Sequence, residues 1–459
     1  MTLRVRGGAP LCGQAALPAD AAVAQRALSI AALCSHDTRI DERLVGAEVS
    51  STMGLLRALG IAIERGDGST RVKGAGLHGL RAPSGALDAG ESPLTFAIGV
   101  GLLSAQRFGT RVLLETRGES PAALLARALR ARGAMVADGT MQAPGPGGRT
   151  RTSLAVAPLV DDETLRAHEH VLAAPSELAK TALLLSGLYA SGPTTVAEPV
   201  LSCDHTERWL NAAGVPLRRL GPMAGLDPSE WSGELAFASA PLDEGGARER
   251  VLKLPSDSTL ASLVACVASV VPGSKVVLDN VGWNSTRTGV LDALRLWGAR
   301  LHATAEGDGS GFEPVARASI ESGALRGGPI DAEVLVRARD AAPLLALLGA
   351  CSARGATLHD PSFCSELQPD PWSQLALVLR AFGVENRIAS ATLRIEPARA
   401  IAAARVDVLG SPALGLLALG LALIAQGESL LEGFPRLDEQ WPGLLGVLTK
   451  LGARIEVDT

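Results

Sequence analysis

Gly273-Ser274-Lys275-Val276-Val277 closes one strongly apolar run, and Trp297-Gly298-Ala299 closes the amphipathic run that follows it. Gly after a helix takes a left-handed cap at no steric cost, and Val next to it favours an extended strand. The stretch therefore reads as apolar helix, strand, amphipathic helix, strand pair. Working outward, the same marks recur six times. The amphipathic runs end at Leu59-Gly60-Ile61, Arg132-Gly133-Ala134, Ala213-Gly214-Val215, Trp297-Gly298-Ala299, Phe382-Gly383-Val384 and Leu451-Gly452-Ala453, with Gly-to-Gly spacings of 73, 81, 84, 85 and 69 residues. The apolar runs end at His36-Asp37-Thr38, Gly109-Thr110-Arg111, Gly192-Pro193-Thr194, Gly273-Ser274-Lys275, Gly355-Ala356-Thr357 and Gly427-Glu428-Ser429. A repeat of this length fixes the architecture before any motif is read. Helices alternating with strands predict α/β layering. The run from Leu414 to Ala425 is apolar on every side, as befits a helix inside the protein.

A chain of 459 residues is too long for one core, so six repeats divide into two domains of three. Arg outnumbers Lys 38 to five, yet the net charge is −5 and no basic block or aromatic-interleaved stripe is visible, so nucleic acid is not an expected partner. The cysteines Cys12, Cys34, Cys203, Cys266, Cys351 and Cys364 form no CxxC pair, which predicts free thiols in a reducing, cytoplasmic setting. The apolar runs are broken by Gly or Ser and match the repeat, and no signal core follows the start, so no membrane segment is expected.

Residues 271–289, VPGSKVVLDNVGWNSTRTG, resemble the fourth repeat of 5-enolpyruvylshikimate-3-phosphate (EPSP) synthases, where a PGS strand precedes NVGxNPTRTG. The stretch from Ala182 to Ala190, then Glu198-Pro199 and Asp204-His205-Thr206-Glu207-Arg208, resembles the third. The resemblance implies two inside-out α/β domains of three βαβαββ repeats each. They would be residues 18–248, and residues 1–17 with 249–459, with a ligand cleft between them. It also implies transfer of an enolpyruvyl group from phosphoenolpyruvate to shikimate 3-phosphate, without cofactor or metal, by a monomer or small homo-oligomer. Gathering two phosphates and two carboxylates calls for many Lys and Arg.

Most of that cationic set is absent. The first-repeat motif PGxKSxxxR reads Pro18-Ala19-Asp20-Ala21-Ala22-Val23-Ala24-Gln25-Arg26, so Lys has become Ala21 and Ser has become Ala22. The second-repeat Arg falls at Ala97, and the next at Ser120 before Pro121. SxQ reads Ser176-Glu177-Leu178, and Cys203 stands where an Arg is expected. KExDR reads Leu367-Gln368-Pro369-Asp370-Pro371, DHR reads Ser411-Pro412-Ala413, and the final Lys falls at Glu439. Hydrogen bonds to charged groups contribute about 1.5–3 kcal/mol each. Losing five therefore costs roughly five decades of affinity. The UDP-sugar variant of the fold fits no better, since its early Lys-Asn and loop Cys are missing.

Arg26, implied by the resemblance to hold the shikimate carboxylate, is kept, as are Ser176 and Asp340. Asp340 would contact ring hydroxyls and take part in proton transfer. The expected ligand is thus an unphosphorylated cyclic carboxylic acid bearing hydroxyls, bound by Arg26, Ser176, His205 and Arg117. Asp340 would be the base for dehydration or a related proton transfer, in a setting such as the reduction of shikimate to cyclohexane carboxylates. Two alternatives stay open: a genuine 3-phosphoshikimate 1-carboxyvinyltransferase with substitutes such as Arg117 or Arg130, and a non-catalytic binding protein.

Plainer readings stand beside these. Asp340 precedes Pro343 and an apolar run, where a helix N-cap belongs. Asp257 in Pro255-Ser256-Asp257-Ser258 reads as the cap of the next helix, and His205 lies at a helix start. Arg26 reads equally as a surface or interdomain charge. His168-Glu169-His170 puts two imidazoles on one strand face, but a zinc site needs a third ligand, so a solvated strand face is expected. Asp161-Asp162-Glu163 reads as a solvated turn, and residues 143–148 as a turn without phosphate-loop character.

Overall fold

The computed structural model describes the chain except residues 67, 117–119, 140–148, 161–162, 238–249, 307–311, 360–370, 390–391, 435–439 and 459. The chain forms two compact units, Met1–Asp20 with Pro255–Thr459, and Ala21–Leu254. Among the described residues there are six four-stranded sheets, three in each unit. The α/β repeat fold expected from the sequence is the fold observed.

The second repeat shows the pattern. The strand Leu87–Asp88 runs parallel to Thr110–Thr116 across the core helix Pro93–Leu103. Thr110–Thr116 then pairs antiparallel with Thr150–Val156, which pairs with Val136–Asp138. The other core helices are Ala21–Leu33, Glu177–Gly187, Ser258–Val270, Pro343–Ala350 and Pro412–Ile424. They are buried almost all round; every residue from Leu94 to Leu103 and from Pro343 to Ala350 is inside. Each fully buried Leu, Val or Phe contributes about 1.5–3 kcal/mol, so six such helices supply the main cohesive force.

The chain borrows strands to complete three sheets. Cys12–Ala16 pairs parallel with Lys275–Gly282, and Thr2–Arg6 lies between Glu428–Glu432 and Arg454–Asp458. Arg250–Leu252 runs parallel to Thr38–Ile40 in the first-repeat sheet. That pairing keeps the chain in the Ala21–Leu254 unit, beyond the expected boundary at residue 248. The other crossing falls after Asp20 rather than after residue 17, because the Asp20 amide donates to the Pro255 carbonyl at 2.9 Å.

The six glycines that end the amphipathic helices, Gly60, Gly133, Gly214, Gly298, Gly383 and Gly452, all have φ between 78° and 109°. A Cβ is disfavoured there, which is why the mark repeats. The apolar-run glycines divide differently. Gly273, Gly355 and Gly427 have positive φ, whereas Gly109 does not. Gly109 is required for space instead, since a Cβ would run into the Val156 carbonyl. No helix among the described residues is long and apolar enough to cross a membrane.

Candidate functional site

In the unit containing both chain ends, polar groups gather at the head of the core helix Ser258–Val270. Asp257 caps it, as expected, accepting from the amides of Thr259 at 2.7 Å and Leu260 at 3.0 Å. A bulge between Leu278 and Val281 puts Asn280 at φ 53°, and its carbonyl accepts from the Ser256 amide at 2.8 Å. The Asp257 amide donates to the Pro18 carbonyl at 2.8 Å, and Ser256 Oγ to Leu17 at 3.0 Å. These bonds hold the buried Asp20 in the electrostatic reach of Asp257. Burial first, then Asp20, push the Asp257 carboxyl up to about 7, against its amide donors and Arg287.

Arg287 joins this cap to Asp340. Its Nη2 donates to Thr259 Oγ1 at 3.2 Å, and its Nη1 lies 3.5 Å from Asp340 Oδ2. Arg339 Nε stands 3.6 Å from the same oxygen. Asp340 occupies a 3-10 turn, Arg339–Ala341, which packs on the core helices Ser258–Val270, Pro343–Ala350 and Pro412–Ile424. Arg339 holds φ 45° and ψ −118°, a costly conformation for a residue with a side chain. The N-cap reading of Asp340 is corrected: the cap of Pro343–Ala350 is Ala342, which makes no side-chain cap bond. Asp340 instead keeps a side chain 66% exposed between two guanidiniums.

The other unit presents a buried charge network. Arg26 is 1% exposed, so the surface-charge reading fails. Its Nε donates to Thr206 Oγ1 at 2.8 Å, Nη1 to the Ala22 carbonyl at 2.9 Å, and Nη2 lies 3.6 Å from Glu177 Oε1. The guanidinium expected to meet a ligand carboxylate thus meets the chain's own. Ser176, expected to bind substrate, is buried and caps Glu177–Gly187, accepting from the Ala179 amide at 3.1 Å. His205 begins the helix His205–Ala212, as expected, and is 3% exposed. Arg117 lies outside the described residues, as do Glu439 and residues 367–370. Arg130, the other candidate substitute, donates to the Val136 carbonyl and pairs with Asp138 at 3.3 Å.

One turn into the core helix Glu177–Gly187, Lys180 Nζ meets Glu198 Oε2 at 3.0 Å, Glu207 Oε1 at 2.8 Å and the Ser202 carbonyl at 3.3 Å. Burial alone would lower its pKa, but Glu207 and Glu198 more than reverse that, and it ends above the ordinary range. At the positions where the resemblance implies Arg or Gln, packing has closed: Ala97, Leu178 and Cys203 are buried. Ser411 now caps Pro412–Ile424 through the Leu414 amide at 3.4 Å.

His168 and His170 share a strand face and meet edge to face at 4.4 Å between centroids. The expected solvated face is corrected, because His170 is 4% exposed. No third metal-ligating side chain joins them among the described residues. Burial first, then His168 and Arg132, push the His170 pKa down to about 3. A folded value below the unfolded 6.5 means stability present above about pH 6.5 and lost on acidification. The expected cost is about 1.4 kcal/mol per pH unit between 6.5 and 3. His170→Leu should flatten that part of the curve in urea titrations between pH 4 and 7; an unchanged slope would refute the assignment.

A family model described as EPSP synthase (3-phosphoshikimate 1-carboxyvinyltransferase) matches residues 5–441. The 3-phosphoshikimate 1-carboxyvinyltransferase of Acidithiobacillus ferrooxidans is 32% identical over 99% of this chain and 98% of its own. That of Halorhodospira halophila is 32% identical over 99% and 97%. The chain belongs to the EPSP synthase family. The solved EPSP synthase from Acinetobacter baumannii covers both chains fully, with TM-score 0.80 and 25% identity. The enolpyruvyl transferase NikO from Streptomyces tendae shares the fold at TM-score 0.68 and 17% identity, covering 99% of this chain and 98% of its own.

Sequence reading missed Asp20, Arg287 and Lys180 as members of these clusters. Signals existed: Asp20 is a charge beside the first-repeat motif positions, and Lys180 is a lone cation in an apolar helix.

Proposed function

We propose that this EPSP synthase family member binds a shikimate-like cyclic hydroxy acid and carries out a proton transfer on it without phosphoenolpyruvate. The supporting observation is Asp340, an exposed carboxylate held between Arg287 and Arg339 on a strained turn. It would act as base, and Arg339 would neutralise the ligand's carboxylate. Asp257, pushed up to about 7, would supply the proton for a leaving hydroxyl. One positioned carboxyl group that takes a proton and another that gives one are a usual arrangement for acid–base work. Elimination of water would then take a ring proton to Asp340 and return one from Asp257. The closed packing at Ala97 and Cys203 and the Glu177 carboxylate beside Arg26 argue against an anion-rich substrate pair.

The relatives' shared name favours a second reading, carboxyvinyl transfer to 3-phosphoshikimate itself, and does so more directly than it favours dehydration. One assay separates them. Phosphate release from phosphoenolpyruvate in the presence of shikimate 3-phosphate is expected to stay at background, and turnover abolished by Asp340→Asn would establish the second reading. Calorimetry is expected to show shikimate binding more tightly than shikimate 3-phosphate; equal or tighter binding of the phosphate ester would end the first.

A further inference from the structure

Arg26 is a buried cation with two kinds of partner. Three neutral acceptors fix its guanidinium: Thr206 Oγ1 at 2.8 Å, the Ala22 carbonyl at 2.9 Å and Thr181 Oγ1 at 3.4 Å. Thr181 and Thr206 also bond to each other at 2.7 Å, which stiffens that wall. The fourth neighbour, Glu177 Oε1, is the most distant at 3.6 Å and carries the compensating charge. Glu177 is the first residue of the helix Glu177–Gly187, where a carboxylate is favoured by the helix dipole, and it is 4% exposed. The guanidinium is therefore positioned by contacts that do not need Glu177, while its charge is balanced by Glu177.

We propose that Arg26, Thr181 and Thr206 form a small-carboxylate site that the chain fills with its own Glu177 side chain. A tethered carboxylate has an effective concentration that free anions do not reach, so the native site is closed to ligand carboxylates. Removing the Glu177 side chain beyond Cβ leaves a fixed, dry guanidinium facing a space about the size of acetate. Glu177 is thus a specificity determinant that excludes small acids from this unit. The proposal is independent of the reaction assigned to Asp340.

The test is thermal unfolding of the full chain in sodium acetate against sodium chloride at equal ionic strength and pH 7.5. The native protein and Glu177→Gln, whose amide still fills the space, should respond alike to both salts. Glu177→Ala should be stabilised by acetate, gaining about tenfold in its folded-to-unfolded ratio when acetate reaches ten times its dissociation constant. Adding Arg26→Met should abolish the gain. If Glu177→Ala does not fold in chloride, its refolding yields in acetate and chloride replace the melting curves, and a higher yield in acetate supports the site. Equal behaviour of Glu177→Ala in the two salts, or an acetate response that survives loss of Arg26, overturns the proposal and leaves a structural ion pair.

Discussion

Lys180→Met is expected to destabilise the protein by about 3–5 kcal/mol, because it leaves buried carboxylates without their counter-ion. Glu198 and Glu207 converge on Lys180 Nζ from outside its helix, and all three side chains are almost fully buried. Glu198 keeps other donors, since it also accepts from the Ser176 amide at 2.7 Å and from the Ser202 amide at 3.1 Å. Glu207 relies on Lys180 as its nearest countercharge and bears the larger loss. Urea unfolding should show a lower midpoint at unchanged slope. A second variant sharpens the result: Lys180→Met with Glu207→Leu should recover part of the loss, because replacing both ends of a buried ion pair by apolar groups is often neutral. A double variant as weak as the single one would show that shape, not charge, matters there.

Asp257→Asn should raise stability at pH 8 by roughly 2–4 kcal/mol and leave it unchanged near pH 4. The folded carboxyl sits at about 7, above its ordinary 3.8. A raised folded value means that the proton is held more tightly in the native state. The stabilisation is fully present below about pH 3.8 and is lost as pH rises through about 7. Asn keeps an acceptor for the Thr259 and Leu260 amides, so the cap survives while the charge is removed. Arg287 faces this carboxyl, Asp20 lies beside it, and Asp340 is the next charge along through Arg287. The packed core helices Pro343–Ala350 and Pro412–Ile424 carry no charge. Urea midpoints from pH 4 to 9 are the measurement; curves that run parallel for variant and parent would remove Asp257 as the titrating group. His170 acts in the opposite sense on acidification, so single variants are needed to separate the two.

Both expectations rest on groups that the chain order hides. Lys180, Glu198 and Glu207 are 18 and 27 positions apart, and each alone resembles an ordinary helix or turn residue. The Lys180–Glu207 contact follows from how the helix His205–Ala212 packs on Glu177–Gly187, and Glu198 arrives just after the strand Thr194–Ala197. Arg26 was legible as a retained cation, yet nothing along the chain says that Glu177, 151 residues later, lies against it. Asp257 was legible as a cap because capping is local, set by amides two and three residues on. The cap reading weighed for Asp340 fails for the complementary reason. The strained Arg339 turn carries the chain two residues further, to Ala342, before the helix begins. The same holds for His168 and His170: alternation along the strand put them on one face, but which face is covered depends on the neighbouring repeat.

The amino-acid sequence by itself determined the six repeats, the buried helices and the left-handed glycines. Each depends on interactions spanning a few residues: apolar periodicity, a φ only Gly tolerates, a Val-rich strand after a turn. The motif text also determined the family and the absence of most of its cations. Only the tertiary structure decided which surviving polar groups are free to act. Burial and pairing are set by residues far apart in the chain, and an Arg surrounded by its own carboxylate reads the same in sequence as one awaiting a ligand.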